Sequence, residues 1–119
     1  MTGQPLISII TITFNAEKAI SPTLESLSQQ TFRDFEHIVI DGASKDSTLA
    51  IVRSNGNARI LSEPDKGLYD AMNKGLRLAK GKYILFLNAG DAFHSPDTLE
   101  KYAERAHSGD DIIYADTVI

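Results

Sequence analysis

The sequence predicts an α/β fold built on a mainly parallel sheet with helices on both faces. Short apolar runs rich in β-branched residues alternate along the chain with segments of helical periodicity, and the first run lacks the polar alternation of a half-exposed strand. Strands that alternate with helices imply right-handed β–α–β units, hence a covered parallel sheet. A chain of 119 residues that is 42% hydrophobic can bury one core, so we expect one domain.

Five short apolar segments predict the strands. In chain order they are Leu6–Phe14, Phe35–Ile40, Arg59–Leu61, Tyr83–Leu87 and Asp111–Tyr114. The first is typical of a strand buried on both faces, whereas the third is a weak signal.

Four segments between or after these strands predict helices. They begin at Ser21–Pro22, at the capping segment Ser44–Ser47, at Leu68 and at Ser95–Pro96. The third helix has the clearest pattern, because an apolar face recurs at helical spacing and a glycine follows it. The residues of that face are Leu68, Met72, Leu76 and Ala79, and the glycine, expected just past the helix end, is Gly81.

The polar residues of the third helix lie opposite its apolar stripe, which predicts a solvated surface. They are Asp70, Asn73, Lys74 and Arg77. Asp70 stands in the first turn, where its side chain could cap the helix or face a ligand crevice.

The composition excludes several classes of function. With a net charge of -4 and no run of like charges, the chain lacks the basic surface that a phosphate backbone requires, so we expect no nucleic-acid partner. Zero cysteines exclude a disulfide framework and a thiolate zinc site and fit a cytoplasmic protein. The apolar runs are far shorter than the roughly 20 residues that span a bilayer, so we expect no membrane-crossing helix.

Polar residues follow the predicted strands at the edge where open parallel sheets bind ligands. They are Thr13–Asn15, Asp41–Gly42, Glu63–Asp65 and Asn88–Asp91. Because the carboxyl ends of parallel strands meet at one edge, we expect several of these side chains to converge. The rings of Phe14 and Tyr69 could stack on a base or pack in the core, and for Phe14 we expect the core.

Asp41 and Asp91 each have two interpretations. Asp41 is suited to accept hydrogen bonds from a ribose hydroxyl or a base N–H, but Asp-Gly is also a common turn pair. Asp91 could ligate Mg²⁺ or Mn²⁺ beside a diphosphate, or it could satisfy backbone donors together with Asn88 in a polar turn. The histidines lack metal-ligand spacing, and we expect His37, His94 and His107 to be structural or exposed.

Several familiar site motifs are absent from the sequence. Asn15 and its neighbours replace a Gly-x-Gly-x-x-Gly turn, and no Gly-Lys-Ser/Thr loop occurs, which weakens dinucleotide dehydrogenase and P-loop interpretations. A nucleotidyltransferase would normally carry a glycine-rich loop after the first strand. An α/β-hydrolase would need a Gly-x-Ser-x-Gly elbow, which is also missing.

Five segments together resemble family 2 glycosyltransferases of the GT-A fold. In order they are Ile7–Asn15, Leu24–Gln30, Ile38–Thr48, Asn73–Gly81 and Tyr83–Asp91. Their order and spacing match across nearly the whole chain, and Glu63–Asn73 is similar to the branch that includes colanic-acid-type and other exopolysaccharide transferases. The resemblance implies a three-layer, Rossmann-like GT-A domain, with residues 1–119 forming its N-terminal nucleotide-sugar-binding part.

The resemblance also implies roles for individual residues. The nucleotide-sugar would contact Thr13, Phe14, Asn15, Asp41, Asp70, Asn73 and Asn88, and the metal ligand would be Asp91. Met72 stands where many relatives carry arginine, and Asn88–Asp91 stands where relatives commonly show Asp-x-Asp-Asp. With one carboxylate left, the site should hold Mg²⁺ or Mn²⁺ less tightly.

The function implied by the resemblance is transfer of a sugar, in an inverting reaction, from a nucleoside-diphosphate donor that we expect to be UDP-linked. The acceptor would be a glycan or a lipid-linked group in polysaccharide biosynthesis, in the cytoplasm or at the inner face of the membrane. The catalytic base would lie in an acceptor-binding part beyond Ile119, and self-association through the face left uncovered is expected. A non-catalytic nucleotide-sugar-binding or interaction module is the alternative.

Overall fold

The structure, a computed structural model, describes residues 4–107. Four strands alternate with four helices, in the order β1 (Ile7–Thr13), α1 (Ile20–Ser28), β2 (Phe35–Asp41), α2 (Thr48–Asn55), β3 (Arg59–Ser62), α3 (Leu68–Leu78), β4 (Tyr83–Phe86) and α4 (Thr98–His107). The predicted α/β class and the first four predicted strands are confirmed. The fifth predicted strand, Asp111–Tyr114, lies outside the described residues.

The four strands form one parallel sheet in the order β3-β2-β1-β4. Strand β1 lies between β2 and β4, with Ile7 opposite both Phe35 and Tyr83. Its first five residues are all buried, as expected for an apolar run without polar alternation. The weaker strand β3 pairs only with β2 among the described strands and is half-buried or exposed.

Helices cover both faces of the sheet. On one face, α1 and α4 pack on a core that includes Ile7, Ile9 and Leu85, and α2 extends this layer beside α1. On the other face, α3 packs on Ile10 and Ile38. The result is the three-layer arrangement implied by the resemblance. In residues 4–107, no helix has the length and apolar character needed to cross a membrane.

Helix α3 packs through small residues, and the predicted apolar face was wrong for its two leucines, whereas Met72 and Ala79 do pack against the core. Its buried residues are Ala71, Lys74 and Gly75, whereas Leu68 and Leu76 are 56% and 45% exposed. A Cβ atom added to Gly75 would lie only 2.6 Å from Cγ2 of Ile10. The helix therefore lies too close to β1 for larger side chains at the contact.

Gly81 was also assigned a wrong role. Helix α3 already ends at Leu78, and its capping residue Ala79 has an extended backbone (φ -67°, ψ 133°), so Gly81 is not the residue just past the helix. Instead, Gly81 N donates a hydrogen bond to Ser8 Oγ at 2.7 Å, and an added Cβ would lie 2.6 Å from Ser8 N. The close approach of two backbone segments explains the glycine.

Candidate functional site

A buried carboxylate joins the carboxyl ends of three strands. Thr13 pairs in register with Asp41, and Asp41 with Ser62. Asp41 is 0% exposed and accepts hydrogen bonds from Thr13 Oγ1 (2.8 Å), Ser62 Oγ (2.9 Å), Ser44 N (2.8 Å) and Ser44 Oγ (2.5 Å). We call Thr13, Asp41, Ser44 and Ser62 the Asp41 cluster.

The hydrogen bonds of the Asp41 cluster keep its carboxylate ionised. Burial raises the pKa of Asp41, but the donors on Ser44, Thr13 and Ser62 together outweigh burial and hold the pKa below its ordinary value. The bond from Ser44 N is the local turn contact that the Asp-Gly interpretation expects. Both carboxylate oxygens of Asp41 are thus already engaged within the protein.

Asn15 ties the end of β1 to the loop after β2. Its backbone N–H donates to Ser44 Oγ at 2.8 Å, and its side-chain Oδ1 accepts from Lys45 N at 2.9 Å. The residue adopts the left-handed conformation (φ 48°), which asparagine tolerates better than most residues. The structure therefore brings three predicted site residues, Thr13, Asn15 and Asp41, into one hydrogen-bonded group.

A cleft of about 330 Å³ opens beside this group, between the end of β1 and the start of α3. Its lining residues are Ile12, Thr13, Phe14, Gly42, Asp65, Gly67, Leu68 and Ala71. Phe14 is 64% exposed, so the expectation that it packs in the core was wrong. Strand β1 ends one residue earlier, and the ring projects to the cleft and solvent. Flat apolar walls beside polar strand ends suit a planar ring with polar edges.

A buried lysine, Lys74, binds the carboxylate of Asp65 at one end of the cleft. Lys74 is 7% exposed, and its Nζ lies 2.7 Å from Asp65 Oδ1, 3.1 Å from Glu63 Oε2 and 3.5 Å from Asp70 Oδ2. It also donates to Pro64 O at 2.9 Å. The predicted solvated position of Lys74 was therefore wrong. We call Glu63, Asp65, Asp70 and Lys74 the Lys74 cluster.

The two α3 residues predicted to bind a ligand have different surroundings. Asp70 accepts a hydrogen bond from Lys66 N at 2.9 Å, which caps the segment leading into α3. That bond is the main reason why the pKa of Asp70 is below its ordinary value, with the charge of Lys74 as a further cause. Asn73 is exposed on the same helix. The capping alternative for Asp70 therefore has direct structural support.

The turn after β4 contains the predicted metal ligand. Asp91 N donates to Asn88 O at 2.9 Å, and Ala89 N donates to Ile12 O at 3.5 Å, which sets the turn beside the end of β1. Asn88 Oδ1 is buried and has no hydrogen-bond partner within residues 4–107. A buried acceptor without a donor is rare in folded proteins, which marks Asn88 as a candidate ligand-binding residue.

Helix α1 fixes this turn through polar side chains on one face. Thr23 Oγ1 accepts from Gly90 N at 2.9 Å, and Ser26 Oγ accepts from Phe93 N at 3.1 Å. Just past the end of α1, Gln30 Nε2 donates to Ser95 O at 2.8 Å. Residues spaced three and four apart share a helix face, so α1 presents a row of partners to the loop that carries Asp91.

Only a sparse set of metal ligands is available. Among the described residues, no group of three histidine, aspartate or glutamate side chains could hold an ion. Asn88 Oδ1 and the Asp91 carboxylate are hard oxygen ligands of the type that Mg²⁺ and Mn²⁺ prefer. The two residues are of the right chemical type for such an ion, which would need further oxygen ligands to complete its coordination.

The histidines are not part of this edge. His37 is buried in the sheet, and its Nε2 lies 2.8 Å from Thr11 Oγ1. Burial lowers the pKa of His37 to about 4. His94 is exposed. Both agree with the structural or exposed roles predicted for them, while the side chain of His107 lies outside the described part.

Sequence patterns missed two groups that shape the site. The sequence pattern places Asp65 only in a polar strand-end segment and predicts that Lys74 is solvated. The spacing of Asp70 and Lys74, one helical turn apart, was an available signal for their ion pair. The hydroxyls of Thr23 and Ser26 gave no signal, because polar residues in an amphipathic helix are normally taken as exposed.

The chain is similar in sequence to known proteins. Residues 8–119 match the family described as Glycosyl transferase family 2. A PGL/p-HBAD biosynthesis glycosyltransferase of Mycobacterium bovis is 38% identical over 98% of this chain and 48% of its own length. The Escherichia coli UDP-Glc:alpha-D-GlcNAc-diphosphoundecaprenol beta-1,3-glucosyltransferase WfaP is 37% identical over 72% of this chain and 36% of its own length.

Solved structures match the fold over most of the chain. TarS of S. aureus, in complex with UDP-GlcNAc, has a TM-score of 0.78 and 32% identity over 87% of this chain and 31% of its own. The mannosyltransferase PcManGT from Pyrobaculum calidifontis, in complex with GDP-Man and Mn²⁺, has a TM-score of 0.73 and 27% identity over 82% of this chain and 31% of its own. The chain spans about half the length of the mycobacterial relatives and about a third of these structures.

Proposed function

The chain belongs to glycosyl transferase family 2, and from this premise we propose that it binds a nucleoside-diphosphate sugar, UDP-linked, as the donor part of a glycosyltransferase. The observation that carries the proposal is the cleft of about 330 Å³ at the carboxyl edge of the parallel sheet. Its exposed Phe14 ring, its strand-end polar groups and its position match the place where open α/β sheets bind nucleotides. TarS, a structure similar over 87% of this chain, holds UDP-GlcNAc.

The donor would lie across the edge of the sheet from the cleft towards the turn after β4. Phe14 would support the base, because an aromatic face stacks on a planar ring. The Asp41 cluster would hold the ends of β1, β2 and β3 in place beneath the nucleoside. The diphosphate would approach Asn88 and Asp91, away from the three carboxylates of the Lys74 cluster, which would repel it.

Asn88 and Asp91 would hold a Mg²⁺ or Mn²⁺ ion together with the diphosphate. When bound, such an ion neutralises negative charge that develops on the departing nucleoside diphosphate. Two observations support this placement: Asn88 Oδ1 is buried without a partner in the described residues, and the hydroxyls of Thr23 and Ser26 accept hydrogen bonds from Gly90 N and Phe93 N of the same loop. A single carboxylate predicts weaker metal binding than a pair would give.

The reaction proposed for the whole protein is inverting transfer of the sugar to a glycan or lipid-linked hydroxyl. The acceptor oxygen would bond to the anomeric carbon as the bond from that carbon to the diphosphate breaks, and a general base would take the hydroxyl proton. We assign this base to no residue in 4–107. The similarity to WfaP, named for action on GlcNAc-diphosphoundecaprenol, supports a lipid-linked acceptor.

Calorimetric titration with UDP, GDP and their sugar conjugates tests the proposal. We expect UDP and a UDP-sugar to bind with Mn²⁺ present and to bind more weakly after chelation. Asp91→Asn should remove most of the metal-dependent part, whereas Asp97→Asn, an exposed carboxylate on the loop before α4, should not. A folded protein that binds none of these nucleotides would refute the proposal. Metal-independent binding unaffected by Asp91→Asn would refute the metal assignment alone.

A further inference from the structure

Asp65 has a carboxylate oxygen that the protein leaves available to the cleft. Its Oδ1 accepts from Lys74 Nζ at 2.7 Å. In the described part of the chain, no donor lies within hydrogen-bond distance of its Oδ2. The side chain is 13% exposed, so this oxygen is held in a partly desolvated position rather than free in bulk water.

The free oxygen of Asp65 lies over Gly42 and beside the ring of Phe14. A Cβ atom added to Gly42 would lie 2.9 Å from Asp65 Oδ2 and 3.4 Å from Phe14 Cδ1. Both groups therefore approach the same point on the cleft wall. A planar ligand stacked against Phe14 would bring one of its edges towards Asp65, in the plane where hydrogen bonds to ring N–H groups form.

Asp41 differs from Asp65 in this respect. Its oxygens already accept from Thr13, Ser44 and Ser62, and its side chain is fully buried. A ligand N–H could bind Asp41 only by displacing one of these internal donors, which would leave a buried hydroxyl or amide unpaired. Asp65 can accept such a bond with no internal loss.

Lys74 fixes the direction of the Asp65 carboxylate. The ammonium has three N–H donors, and carboxylates from three points of the chain and the carbonyl of Pro64 surround it. The ammonium of Lys66 also acts on Asp70, but three carboxylates still outnumber two ammonium groups and leave net negative charge at this end of the cleft. This end therefore suits a ligand edge that donates hydrogen bonds and disfavours a phosphate.

We propose, on the basis of the donor-binding function proposed above, that Asp65 recognises the nucleobase and that Lys74 is its positioning residue. Asp65 Oδ2 accepts a hydrogen bond from a ring N–H, the group that uracil presents at N3 and guanine at N1. Cytosine carries no hydrogen at N3, so the lone pair of this nitrogen would face the carboxylate oxygen and repel it. The ligand class is thus a base with a ring N–H, stacked on Phe14.

The first test uses the unaltered protein, so it does not depend on any variant folding. Binding of UDP, 3-methyl-UDP and CDP is compared by calorimetry. Removal of one hydrogen bond to a charged group should weaken binding by about tenfold to a hundredfold, so both analogues should bind that much more weakly than UDP. If GDP is the preferred nucleotide, the same comparison applies to 1-methyl-GDP.

Substitutions then assign the effect to Asp65. Asp65→Asn should lower the ratio of UDP to CDP affinity by about tenfold or more, because an amide can also donate to cytosine N3. The matched control is Glu63→Gln, which alters a half-exposed carboxylate on the same lysine that does not line the cleft. Lys74→Met should reduce the ratio as well, and Lys74→Arg should restore part of it, since the charge is kept.

Each outcome has a distinct meaning. If UDP and 3-methyl-UDP bind equally, or if Asp65→Asn keeps the UDP to CDP ratio, recognition of the base by Asp65 is wrong while donor binding stands. If Glu63→Gln changes the ratio as much as Asp65→Asn does, the effect belongs to the charge of the cluster and not to Asp65. If Lys74→Met keeps the ratio, the positioning role is wrong. If no nucleoside diphosphate binds the folded protein, both proposals fail.

Discussion

Lowering the pH from about 7.5 to about 5 is expected to destabilise the fold through one side chain, His37. The imidazole is buried in β2, and its Nε2 lies 2.8 Å from Thr11 Oγ1. Burial lowers its pKa from 6.5 to about 4, because the charged form loses its hydration. Glu36, the neighbouring residue in β2, already accepts a hydrogen bond from Ser8 Oγ and forms an ion pair with Arg59.

The size of the effect follows from the difference between the two pKa values. Since the folded pKa is the lower one, the unfolded chain binds a proton first, and stability falls as the pH drops from about 6.5 towards 4. At 1.36 kcal/mol per pKa unit, the loss is about 2 kcal/mol at pH 5 and about 3 kcal/mol below pH 4. The carboxylates with lowered pKa values, such as Asp41 and Glu36, remain largely ionised at pH 5 and add little in this range.

Urea unfolding followed by circular dichroism at several pH values measures this loss. His37→Gln keeps an amide that can bond to Thr11 but does not titrate, so its stability should stay nearly constant between about pH 7.5 and 5. His94→Gln, at an exposed position, should follow the pH dependence of the unaltered protein. Parallel stability curves for the unaltered protein and His37→Gln would refute the argument from burial.

Three further substitutions test packing and hydrogen bonding. Gly75→Ala should cost about 1–3 kcal/mol in urea unfolding, because the new Cβ meets Ile10, whereas alanine at an exposed position of the same helix should change stability by less than about 0.5 kcal/mol. In Asp41→Asn, the amide NH2 group would face hydrogen-bond donors in place of a carboxylate oxygen. The free energy of unfolding should fall by about 1–3 kcal/mol in the same measurement. Thr23→Val removes the acceptor for Gly90 N, so hydrogen exchange of that amide should become faster than in the unaltered protein; an unchanged rate would contradict the contact.

The order of strands and helices could be predicted because it depends on local patterns. The β-branched run of β1 and the apolar run of β4 have the composition of buried parallel strands, and short polar segments follow each. The convergence of Thr13, Asn15 and Asp41 also followed, since parallel strands end at one edge. These predictions needed no knowledge of which helix packs on which face.

The errors concern contacts between distant segments. Helical periodicity assigned Leu68 and Leu76 to the core, but the distance between α3 and β1 selects Ala71 and Gly75. Periodicity likewise treats a lysine as solvated. Lys74 is buried because carboxylates from the loop before α3 reach it, and their arrival depends on the path of that loop.

The Asp41 cluster separates the stability of the sheet from the choice of ligand, which makes this domain a suitable starting point for protein engineering. Its hydrogen bonds are complete among Thr13, Asp41, Ser44 and Ser62, so they hold the strand ends together whatever occupies the cleft. A library randomised only at the cleft residues Phe14, Asp65 and Leu68 would leave that network intact. Selection on such a library could then alter the preferred nucleotide while most members still fold.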